Sequence, residues 1–83
     1  MQYEILSLEE KRTGLMNRLR DLEVEHFSNS VYIREAEVIG DEDSITKFSV
    51  QNRGLDMRYD ELKRQLEEVE EQIKANAEPS EGK

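Results

Sequence analysis

The chain has 83 residues, with 12 Lys and Arg against 20 Asp and Glu, a formal charge of −8 and no Cys. With 35% apolar and 39% charged residues, it sits at a size where disulfides, metals or partner subunits usually supplement a core, and disulfides are excluded. An isoelectric point near 4.6 argues against sequence-specific nucleic-acid binding. No apolar run approaches the roughly 20 residues of a membrane span, and Met1–Leu8 lacks the basic start and apolar stretch of a signal peptide. The expected location is cytoplasmic.

The first predicted element runs from about Ser7 to Phe27. Ser7-Leu8-Glu9-Glu10 has the form of a capping box, in which the Ser7 hydroxyl accepts from the Glu10 amide and the Glu10 side chain reaches back. Leu8, Leu15, Leu19 and Leu22 then recur at spacings of seven, four and three, one face of a helix. Arg12 and His26 interrupt that stripe, and Gly14 costs the helix about 1 kcal/mol relative to Ala. Ser28-Asn29-Ser30 reads as a stop, because these side chains compete for backbone hydrogen bonds.

Residues 31–50 admit two readings. Val31-Tyr32-Ile33 and Ile45-Thr46-Lys47-Phe48-Ser49-Val50 are rich in strand-forming residues, and Gly40-Asp41-Glu42-Asp43 between them suits a hairpin turn. With breakers at Ser28-Asn29-Ser30 and Asn52-Arg53-Gly54, this selects two antiparallel amphipathic helices joined by a short β-hairpin, a mostly α fold. The alternative is an all-α helical hairpin, or coiled coil, with its turn at Gly40-Asp41. Arg34-Glu35-Ala36-Glu37 favours it, Ile45 and Phe48 extend the second stripe backwards, and Asn29 would then face Asn52.

The third element has the clearest pattern. Leu55, Tyr59, Leu62, Leu66, Val69 and Ile73 alternate spacings of four and three, an apolar seam over nearly three heptads. Asp60 with Arg64 and Glu70 with Lys74 are i,i+4 pairs in the favoured orientation. Asn52 or Gly54 opens this helix and it frays near Ala77. Residues 1–77 thus form a single domain, and 78–83 have the composition of a disordered tail.

Catalysis is not expected. The one histidine, His26, reads as a core-edge or helix-end residue, and the glutamates 67, 68, 70 and 71 read as a solvated face. The four glycines are scattered, so no phosphate loop is formed and no cofactor is expected. Asp41 and Asp43 begin like a calcium loop, but Ile45, Thr46 and Asn52 occupy positions that need a ligand, a glycine and a glutamate. That segment reads as an acidic turn or helix start, with no metal. The apolar residues of the two stripes, with Phe48, are the candidate interface. Two facing amphipathic helices cover only part of each other's stripe, so a homo-oligomer or an obligate subunit is expected.

Helix, hairpin and charged helix, with Gly40-Asp41 at the turn, Phe48-Ser49, Tyr59, and Leu62 and Leu66 followed by acidic residues, resemble the W-type head-to-tail joining proteins of tailed phages over roughly residues 8 to 73. The resemblance implies a structural role and makes the virion the alternative to a cytoplasmic location. Copies would form a ring between portal and tail and dock other protein subunits. A small acidic helical module, a dimeric regulator or inhibitor of a partner protein, is the alternative expectation.

Overall fold

The computed structural model describes residues 6–77. It consists of α1, Leu8–Ile39, and α2, Glu42–Ala77, antiparallel and packed along one seam. The tail expected at 78–83 lies outside the described residues. At 32 and 36 residues the helices are long, and the molecule is a rod of 65 × 29 × 14 Å. Its radius of gyration is 18.6 Å, whereas a compact chain of this length would have about 12 Å. The accessible surface is 6514 Å², against about 5,200 Å² for a compact monomer of this mass.

The start of α1 follows the sequence pattern. Glu10 N–H donates to Ser7 Oγ at 3.0 Å, and Ser7 N–H donates to Glu10 Oε1 at 2.8 Å. Both halves of the capping box are therefore made, and two amides that the helix cannot satisfy are paired.

The middle of the chain corrects the preferred expectation. No strand is present among the described residues, and segments 31–33 and 45–50 are helical. The helical-hairpin alternative holds. Three local facts explain why. Gly40 takes φ 74°, and Gly40 N–H and Asp41 N–H donate back to Glu37 O and Ala36 O at 3.3 and 2.9 Å. This is a Schellman ending, in which glycine meets no steric penalty in the left-handed region. Asp41 then caps α2. Its carboxylate accepts from Ser44 N–H at 3.2 Å and from Ser44 Oγ–H at 2.7 Å, which holds the carboxyl below its ordinary 3.8. A Schellman stop followed at once by an N-cap reverses the chain between helices without strands.

The second reason is that the supposed breakers are satisfied inside the helices. Ser30 Oγ donates to His26 O one turn back at 3.0 Å, so it does not compete for another conformation. Asn29 and Asn52 bond each other across the seam. Gly54 is tolerated within α2, where an added Cβ would meet nothing within 4 Å. The third reason is packing: Ile33, Ile45 and Phe48 are half-buried, the Phe48 ring meets Tyr32 of the opposite helix, and such packing overrides an intrinsic strand preference of this size. So α1 does not stop at residue 28, and α2 does not begin at 52 or 54 but at Glu42.

Candidate functional site

The predicted interface residues come together along one line, the seam between the two helices. Asn29 Nδ2 donates to Asn52 Oδ1 at 3.0 Å. With helices antiparallel, this contact places Leu22 level with Tyr59, Leu19 with Leu62, and Leu8 with Ile73. Leu19, Leu22 and Leu55 are buried, Leu22 with 1% of its surface exposed. Leu8, Leu15, Phe48, Tyr59, Leu62, Leu66, Val69 and Ile73 are half-buried. The stripes thus serve first as the inside of the hairpin. At its open end the seam gapes. A groove of about 490 Å³ runs between Gly14, Leu15, Gln65 and Val69, and a second of about 450 Å³ lies beside Leu8 and Ile73.

A polar layer crosses the seam between the buried leucines and the turn. Besides its bond to Asn29, Asn52 donates through Nδ2 to His26 O at 3.4 Å and to Ser30 Oγ at 3.5 Å. No buried side-chain nitrogen or oxygen among the described residues lacks a partner. A buried asparagine pair contributes little net stability, yet a slip of either helix would leave both amides unpaired. The layer therefore fixes register, the best-attested role of such residues in coiled coils. Closer to the turn, the rings of Tyr32 and Phe48 lie 5.0 Å apart at 41°.

The charged residues clasp the seam from outside. His26 Nε2 lies 3.2 Å from Asp56 Oδ1, so the histidine sits at the core edge and bridges the helices. Arg12, which interrupts the leucine stripe, reaches Glu70 at 3.4 Å. Glu70 therefore pairs across the seam rather than with Lys74, and Arg64 pairs with Glu61 rather than Asp60. Tyr59 OH donates to Glu23 Oε2 at 2.9 Å. That bond, made by the protonated phenol to a carboxylate, raises the Tyr59 pKa above its ordinary 10.0. No cluster of three or more His, Cys, Asp or Glu placed to hold a metal occurs among the described residues, and no described helix is long and apolar enough to cross a membrane.

One feature lay outside the sequence expectations. Val24, Phe27, Val31 and Val38 are spaced three, four and seven apart on α1, and at 100° per residue they point away from the seam. All four are exposed, Phe27 at 69% and Val38 at 86%. Met16 and Ile39 flank them and are exposed too. The helix thus carries two apolar stripes on nearly opposite faces. The pattern was available in the sequence, but the assignment of residues 28–33 to a break and a strand cut the second stripe in half. No family model, no curated protein and no solved structure matches this chain.

Proposed function

We propose that the chain is a non-enzymatic assembly module, a rod whose burial is completed by other protein surfaces. The observation that supports this is the imbalance of its apolar side chains. Among the described residues the buried apolar ones are Leu19, Leu22, Ala36 and Leu55, while Phe27, Val38, Ile39, Met57 and several others of similar size are exposed. Complete burial of one such side chain is worth about 1.5–3 kcal/mol. A scattered exposed leucine or valine needs no explanation, but a periodic stripe of them along one helix marks an interaction surface.

The phage connector is one assembly of this kind. Its resemblance drew on Gly40-Asp41 as the turn between two strands. Here that turn joins two helices, so the proposal keeps the assembly role and leaves the ring aside. The other expectation, a discrete helical dimer, needs no strand and gains from the exposed stripe on α1.

The test is the concentration dependence of thermal unfolding, with mass measured by light scattering. An assembly module unfolds at a temperature that rises with protein concentration. A single chain of 9.8 kDa in dilute solution, with a high and concentration-independent midpoint, would overturn the proposal.

A further inference from the structure

The exposed stripe on α1 has a pattern of charges that selects its occupant. Arg20 and Arg34 lie within the stripe, and Asp21 and Glu35 follow each of them by one residue. If a second copy lay parallel and in register on this face, Arg20 would meet Arg20, Arg34 would meet Arg34, and Glu35 would meet Glu35. Like charges held opposite one another oppose association. If the second copy lies antiparallel, turned about a two-fold axis between Phe27 and Ser28, Arg20 and Glu35 become complementary, and the symmetry makes that pair twice. Val24 then sits opposite Val31, and Asn17 opposite Val38. The two Phe27 rings flank the axis. Nothing comparable exists on α2, whose outer face offers Val50 and Met57 seven residues apart.

We propose that a second copy of this chain covers the Val24–Phe27–Val31–Val38 face in this antiparallel arrangement, giving a closed dimer of four helices. The inference rests on the assembly reading above and names its partner. A two-fold contact uses the same patch on both copies and closes on itself. This face therefore generates a discrete dimer and not a ring or filament. The seam inside each hairpin stays intact, because the two stripes of α1 point in nearly opposite directions.

The absence of Cys makes the arrangement directly testable in the full chain. Val24→Cys and Val31→Cys, mixed and oxidised, are expected to form a disulfide between the two variants. Neither alone should crosslink, since two copies of residue 24 would be displaced by about 10 Å along the axis, beyond disulfide reach. Val31→Asp is expected to shift the light-scattering mass from two chains to one, with helicity by circular dichroism retained. Arg20→Glu should raise the dimer dissociation constant by about tenfold at low salt, and adding Glu35→Arg should restore it. A mass of two chains without the 24–31 disulfide, or with a Val24→Cys self-disulfide, overturns this arrangement and leaves the assembly reading standing. A single-chain mass at every concentration overturns both.

Discussion

The half of the rod next to the turn and the half at its open end use the same residue types and reach different degrees of closure. From Leu19 through Ala36 on α1, and along the facing stretch from Ile45 to Leu62 on α2, the seam contains every buried side chain among the described residues. From Leu8 to Leu15, and from Leu66 to Ile73 facing them, the apolar residues are half-buried and grooves open beside them. The leucine spacing is as regular in the open half as in the closed one. What differs is the company: the closed half combines leucines with Ala36, a satisfied asparagine pair and a capped turn, whereas the open half is held by Arg12–Glu70 at its surface. Regular spacing creates a stripe, but small side chains and matched polar groups decide how completely it is covered.

The largest expected contrast comes from leucine truncation. Leu22→Ala should destabilise by about 3–5 kcal/mol in urea unfolding, whereas Leu66→Ala should fall near or below about 2 kcal/mol because less of it is buried. Equal losses would show that the two halves are packed alike. Next in size is the polar layer. Asn52→Leu alone strands Asn29 and should cost about 1–3 kcal/mol, and a second change, Asn29→Leu, should recover most of that loss. A double-mutant cycle with no coupling would remove the layer from its role in register.

Glycine replacements should have opposite signs at the two ends. Gly40→Ala forces a β-carbon into the left-handed region and should cost about 1 kcal/mol. Gly14→Ala adds a methyl that meets nothing within 4 Å and should stabilise the helix by up to about 1 kcal/mol. The smallest effect is titration of the Asp41 cap. Its carboxyl is held below 3.8 in the folded chain, so its contribution is complete above that value and fades as pH falls through the lower, folded one. Ser44→Ala should flatten this acid limb of a stability–pH curve, and an unchanged limb would remove Asp41 from it. Tyr59 has the opposite sign. Its phenol is raised above 10.0, so the bond to Glu23 contributes fully below that pH and weakens as pH climbs through the raised value. Glu23→Gln should shift the Tyr59 titration, followed by ultraviolet absorbance, back toward 10.0.

What was legible in the amino-acid order was what depends on neighbours along the chain. Ser7 and Glu10 form their box because both partners lie within one turn. The seam from Leu55 to Ile73 forms because each residue repeats the phase of the last. The stop at Ser28-Asn29-Ser30 failed because the group that satisfies Asn29 is Asn52, 23 residues away. Read alone, either asparagine weakens a helix; read as a pair, they align two. The strand reading of 31–33 and 45–50 failed because the capped reversal at Gly40-Asp41 and the half-burial of Ile33, Ile45 and Phe48 outweigh a β preference, even with Val31 and Val50 left exposed on the helices. Among the site residues, the inner stripe was found and the outer stripe on α1 was not, because it runs straight through the presumed break.

The tightness of the reversal at Gly40 and Asp41 gives the molecule the character of a ruler. Because the chain doubles back with no slack, every level of one arm is tied to a fixed level of the other. Removing one heptad from each arm at matching levels would shorten the rod by about 10 Å and leave the seam in phase. Removing it from one arm only, between the polar layer and the turn, would pull Asn29 out of line with Asn52. Length is therefore a quantity this architecture can vary in steps, provided both arms change together.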